Sequence, residues 1–355
     1  MRTISRRLRR RYSLVAVVAV LGACLGAAVL IATGIGAIFV SPLSILGMLA
    51  DKIFPISIDP SWRASHETII MQIRMPRVLG ALLVGAALAT AGVLFQGLLR
   101  NPMADPYIIG TSGGAAFGAT LAMMLPVSTY FLGFGLVPLL AFCGGLGAVL
   151  LVYNLARVGS RTPVISMLLA GFAVSSMLAA GMSLLMALSG RLQLKLHSVF
   201  FFLMGGVSIS SWWQLAVIAP LIIGGIILAR FLAFHLNAFA LGEEGAAHLG
   251  IDVERDKLMV LALGSLLTAA AVSISGLVGF VGLVVPHAVR LALGPDHRLL
   301  LPASALVGGI FLVMADLLAR SVIAPTELPV GIVTALIGAP FFLYLLRRTR
   351  REYAF

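Results

Sequence analysis

The chain has 355 residues, of which 60% are hydrophobic and 11% charged, and its mean hydropathy is +1.08. Soluble domains carry about a quarter charged residues, so a soluble globular protein is excluded and an all-α integral membrane protein is indicated. The formal charge of +12 sits at the ends of apolar runs and not on a basic face, so nucleic acid is not expected as a partner.

A bilayer core takes about 20 apolar residues as helix. From Tyr12 to Ala50 there is no Asp, Glu, Lys or Arg. The basic tail before it, residues 1–12, resembles the start of a signal peptide, but the apolar run is too long for one. It reads as an uncleaved first helix over 13–36. The 51 uncharged residues from Pro106 to Ala156 must cross twice. Further uncharged runs are Thr162 to Gly190, Leu196 to Ala229, Leu258 to Val289 and Leu328 to Leu346. The resulting crossings are 13–36, 78–99, 108–126, 135–156, 163–188, 212–233, 257–274, 278–293, 301–323 and 330–346. A short apolar helix at about 198–206 lies partly embedded. Joints fall at Gly159-Ser160, Ser275-Gly276, Gly294-Pro295 and Ala324-Pro325.

Ten transmembrane helices put both termini on one side, and arginines cluster at both ends of the chain. The positive-inside rule makes that side cytoplasmic. This topology leaves 18 of the 25 Lys and Arg residues inside, an asymmetry obtained independently of the helix count. The chain is read as one transmembrane domain, 1–355. Glycines at 110, 113, 114, 118, 144, 145, 147, 308 and 309 let helices approach closely. Cys24 and Cys143 lie singly in apolar runs and read as small helix residues.

Several segments are not explained by spanning alone. Arg74-Met-Pro-Arg77 runs into Gln96-Gly-Leu-Leu-Arg-Asn101-Pro102-Met-Ala-Asp105-Pro. Ala240-Leu241-Gly242-Glu243-Glu244-Gly-Ala-Ala-His-Leu-Gly250 separates two crossings. It is either a solvated loop or a short amphipathic helix that enters a groove of a soluble partner. Gly279-Phe-Val-Gly-Leu-Val-Val-Pro286-His287-Ala-Val-Arg290 continues to Asp296-His297-Arg298, and Asp316, Arg320 and Glu327-Leu-Pro-Val-Gly331 follow.

Together these motifs, from about Arg74 to Leu346, resemble the permease family of ABC importers for iron-siderophore, haem and vitamin B12. The resemblance implies ten helices per subunit with cytoplasmic termini, and a second permease subunit in the lipid bilayer. It also implies two cytoplasmic ATPases and a periplasmic or lipid-anchored substrate-binding protein. The loop 240–252 then becomes the coupling element seated in the ATPase, with Leu241, Gly242, Glu243, Glu244 and Gly250 as its site residues. Arg74, Arg77 and Arg320 become the outer arginines that receive acids of the binding protein; the residue-level alternative is snorkelling at the interface.

Asn101, Pro102, Thr162, Pro163, Ser166, Pro286 and His287 are candidates for path or gate, although Pro163, Val164 and Ile165 replace polar residues usual in the family. Asp105 reads as a helix cap. Asp316 is either structural or part of the path. No cofactor or metal is expected on this chain. ATP and Mg act on the partner ATPase, and no G-x-x-x-x-G-K-[ST] occurs here. His287 and His297 lack the spacing of a metal pair on one helix face.

Two rivals remain. Gly110-Thr-Ser112-Gly113 matches the G-x-S-G of intramembrane serine proteases, but a hydrolase needs a histidine base within reach of the serine. An ion-driven transporter would show midplane charge, which is nearly absent. The expected cargo is a ferric siderophore, the commonest class in the resembled family, with haem or cobalamin as alternatives.

Overall fold

The computed structural model describes residues 14–36, 38–53, 62–127, 130–159 and 161–353; the basic tail 1–12 lies outside them. Helices stand at every expected crossing. They are α1 (Leu14–Gly34), α4 (Met75–Leu98), α5 (Thr111–Met124), α6 (Leu136–Ala156), α7 (Val164–Leu188), α10 (Trp212–Phe231), α13 (Val253–Ser275), α14 (Val281–Leu293), α15 (His297–Ser321) and α16 (Val330–Tyr353). Among the described residues seven helical runs are long and apolar enough to cross a membrane, with α3 (Ala64–Thr68), a π-helical turn (Ile69–Arg74) and α4 forming one of them. The short helix expected near 198–206 is α9 (Leu196–Met204), preceded by α8 (Gly190–Leu194).

Besides α8, the elements not expected include α2 (Pro42–Ile53), α3 with its π turn, α11 (Ala233–Phe239), and a hairpin of β1 (Tyr130–Phe131) antiparallel to β2 (Phe134–Gly135). All are short, and a short amphipathic or two-residue element leaves no run for hydropathy to register. The π turn stands just ahead of Pro76, which has no backbone N–H to donate.

Helix ends follow local chemistry. Asp252 caps α13 by accepting the Arg255 N–H at 3.2 Å, and Ser211 caps α10 by accepting the Gln214 N–H at 3.3 Å. Gly276 and Gly294 end α13 and α14 with positive φ, as the expected joints require.

The bundle is built around α4. The best apolar window of the run that contains it is 89% buried, against 17% for α7. The main neighbours of α4 are α10, α13, α14 and α15, with α1 and α11 touching it less extensively. Small residues make this approach possible. Gly85 lies against the Gly308 backbone of α15, and Gly114 of α5 against the Gly144 backbone of α6. A Cβ at any of these four positions would overlap a carbonyl or side chain. Gly147 instead meets open space. On the outer surface α7 presents Ile165, Leu169, Phe172, Met177, Leu184 and Leu188, an apolar face that suits lipid or another helix and would not be stable in water.

Candidate functional site

The charged residues collect at the two ends of α4, a helix of 24 residues and so about 36 Å long. At its N-terminal end three arginines converge. Arg77 Nη1 donates to both carboxylate oxygens of Glu327 at 2.9 Å, while its Nε and Nη2 donate to Asp316 Oδ1 at 3.1 and 3.0 Å. Arg320, one turn after Asp316, places Nε 3.3 Å from Asp316 Oδ2. Such a pair of arginines around one carboxylate compensates a charge that is otherwise very costly to bury.

Arg320 and Arg74 have a second task. The last turn of α1 contains no basic residue of its own, and the final carbonyls of a helix lack intrahelical partners. Arg74 donates to the carbonyls of Thr33 (3.1 Å), Gly34 (3.2 Å) and Ile38 (2.7 Å). Arg320 donates to the carbonyls of Ile35 (3.1 Å) and Ala32. Arg74 is buried, and the Arg320 side chain is 8% exposed. The members reachable from outside are Arg77 and Glu327, with side chains 21% and 44% exposed. The three arginines singled out in the sequence are thus brought together, and all three are already engaged within the chain. Asp316, open between two roles in the sequence, is the structural anion among them.

At the other end of α4 stands the loop 240–252. It holds α12 (Glu243–His248), shorter than the ten-residue element expected. Gly242 enters it with φ of 96° and Gly250 leaves it with φ of 80°, conformations that side chains resist. Ala246 is fully buried, while Leu241, Glu243, Glu244 and Leu249 are exposed. Lys257 of α13 anchors the element, with Nζ 2.8 Å from Glu243 and 3.0 Å from Glu254. Glu254 also accepts the Thr162 backbone N–H at 2.9 Å. A sequence candidate for the gate, Thr162, is therefore connected to the acid Glu243 through two α13 residues that the sequence reading passed over. An acid–base pair three residues apart on a helix, Glu254 and Lys257, was the available signal. Glu244 has no ion-pair partner among the described residues.

The remaining gate candidates form another group. Asn101 Oδ1 accepts the Met103 N–H at 2.9 Å, Pro102 is exposed, and the His287 ring bonds to the Pro102 carbonyl. Pro286 is buried inside α14. Pro163 caps α7 and Ser166 lies in its first turn, away from His287 in sequence and element. Asp105 accepts the Tyr107 N–H at 2.8 Å and caps the 3₁₀ turn Pro106–Ile109, one turn ahead of α5. Burial pushes the Asp105 carboxyl above the ordinary carboxylate range, opposed by that N–H. Ser112 lies in the first turn of α5, and no hydrogen bond joins it to a histidine among the described residues.

A model of the FecCD transport family matches residues 16–348. The chain belongs to the FecCD transport family. It is 49% identical over 281 residues to the cobalamin import system permease protein BtuC of Halobacterium salinarum, covering 79% of this chain and 74% of that protein. It is 42% identical to the hemin transport system permease protein HmuU of Yersinia pestis, covering 80% and 84%. A solved metal-chelate-type ABC transporter in an inward-facing conformation superposes with a TM-score of 0.79 at 32% identity, covering 94% of this chain and 99% of that one. A FecCD protein is a multi-pass permease of the inner membrane, not an enzyme. Such permeases work with a separate ATPase and a substrate-binding protein, which removes the protease reading of Ser112.

Proposed function

We propose that this FecCD chain pairs with a second permease subunit and carries a metal chelate inward by alternating access, driven by two cytoplasmic ATPases. The helices at all ten expected crossings, the shorter α5 and α14 included, cross the bilayer with both termini in the cytoplasm, the orientation that the arginine distribution favours. The observation that carries the coupling assignment is α12. It is a short helix with Leu241, Glu244 and Leu249 exposed together, pinned to α13 by the Lys257–Glu243 pair. An apolar tip beside an unpaired acid fits a cleft on a soluble partner that has a basic rim. Because Lys257 already occupies Glu243, Glu244 is the acid open to the ATPase. At the opposite face Arg77 is the reachable arginine for an acidic lobe of the substrate-binding protein, and Arg74 and Arg320 hold the surface beneath it.

For cargo, a ferric siderophore stands first, as the commonest class in the resembled family. The 49% and 42% identities to cobalamin and hemin permeases favour a tetrapyrrole-type chelate as the second reading. Reconstitution with the ATPase and the binding protein decides, with uptake of cyanocobalamin, hemin and a ferric siderophore measured in parallel. The expected result is ATP-dependent uptake of one of them. Failure to copurify with any ATPase overturns the reading. Glu244→Arg is expected to weaken the ATPase contact with the helices still inserted, and normal transport by that variant counts against the coupling assignment.

A further inference from the structure

Between the α12 loop and the transmembrane helices lies α11, seven residues long, for which the reading above assigns no task. Its apolar side is buried through Leu236 and Phe239. Its polar side carries two residues that each bond to a different transmembrane helix. His235 Nδ1 bonds to the Asp256 carboxylate of α13. Asn237 makes three bonds at the start of α15. Its Nδ2 donates to Asp296 Oδ1 at 2.8 Å, and its Oδ1 accepts the His297 backbone N–H at 3.0 Å and the ring Nδ1 at 2.8 Å.

The chemistry fixes each partner. A carboxamide oxygen only accepts, so His297 carries its proton on Nδ1. A carboxylate only accepts, so the Asn237 amide group must face Asp296. Asp296 Oδ1 also accepts the Arg298 N–H at 3.0 Å and so caps α15. One side chain therefore closes the N-terminal turn of a 25-residue helix onto the segment that leads, three residues later, into the coupling loop.

We propose that Asn237 is a positioning residue that makes α15 move with α12, so that displacement of the coupling loop by the ATPase reaches α15 through the polar bonds of this side chain. The inference rests on the importer reading. Without the Asn237 bonds, α11 remains attached to α13 through His235, and α15 is left to follow through side-chain packing alone, on α11 and on its transmembrane neighbours α1, α4 and α14.

The test uses the full chain assembled with its ATPase in lipid nanodiscs, with ATP hydrolysis measured with and without the substrate-binding protein. Asn237→Asp keeps the acceptor for His297 but sets a second carboxylate against Asp296. It is expected to lower the stimulation by the binding protein roughly tenfold, within the 5- to 150-fold range of ordinary coupling between sites. Combining it with Asp296→Asn exchanges donor and acceptor, keeps a good helix cap, and is expected to restore stimulation. A purely structural role would reduce the amount of complex recovered and leave the stimulation per complex unchanged. Should Asn237→Asp fail to assemble, Asp296→Ser retains a cap while removing the oxygen that Asn237 reaches, and is read in the same way. Unchanged stimulation in the single variants, or no recovery in the double variant, overturns the proposal. An unaltered chain that shows no stimulation defeats the importer reading instead.

Discussion

Arg77 Nη1 lies 2.9 Å from both oxygens of Glu327, a residue 250 positions away in the chain. The carboxylate thus occupies the most exposed arginine of the cluster, the one that the proposed function assigns to an acid of the docking protein. Glu327→Gln keeps the shape and removes the charge. Docking of the substrate-binding protein is expected to tighten several-fold, in line with the roughly 0.2–1 kcal/mol typical of partly exposed pairs. Binding to immobilised nanodiscs measures it, and weaker docking would contradict the exchange of one acid for another.

Asp316 stands differently, because its side chain is 1% exposed between Arg77 and Arg320. Asp316→Asn leaves the buried Arg320 guanidinium without its anion and Arg77 with Glu327 alone. Removing one partner of a buried pair costs on the order of 3–5 kcal/mol. The thermal midpoint in detergent is expected to fall well below that of Glu327→Gln, and equal midpoints would show that the cluster is held otherwise.

Close packing of α4 gives a steric prediction. Gly85→Ala places a methyl group against the Gly308 carbonyl, whereas Gly147→Ala points into open space. The first is expected to destabilise by about 1–3 kcal/mol, as overpacking does, and the second to be neutral. Thermal midpoints of the two purified variants, compared side by side, check the contrast.

Lys257→Met removes the cation that holds both Glu243 and Glu254. The loop 240–252 is expected to lose its attachment to α13 while α13 itself stays intact. Hydrogen exchange should rise at 243–251 and at Thr162, whose N–H bonds to Glu254, and remain slow in the middle of α13. Protection unchanged at Thr162 would break the connection between the gate candidate and the coupling loop.

The transmembrane plan was legible because it is written in hydropathy over runs of about twenty residues, and α6 and α7 start within one residue of their expected places. The glycine contacts were legible as a class, though composition could not separate Gly85, which was not singled out, from Gly147, which faces nothing. The charge network was not legible. Arg77 and Asp316 are 239 positions apart, and no local pattern pairs them. The last turn of α1 has no basic residue, and its carbonyls take their donors from elsewhere. Nothing in the sequence named Arg74 and Arg320 as those donors. At the coupling loop the acids were visible and their anchor was not, because Lys257 looked like one more positive charge at a helix end.

Helix α15 begins at the Asn237 contact and ends at the Asp316–Arg320 pair, so one body has a terminus in each of the two charged regions. A body of this kind obeys thermodynamic reciprocity. With the partners docked as proposed, whatever factor nucleotide on the inner partner applies to the affinity of the outer partner, the outer partner must apply in return to the affinity for nucleotide. Docking at one face is then a measurement of the chemical state at the other, made without any small molecule crossing between them.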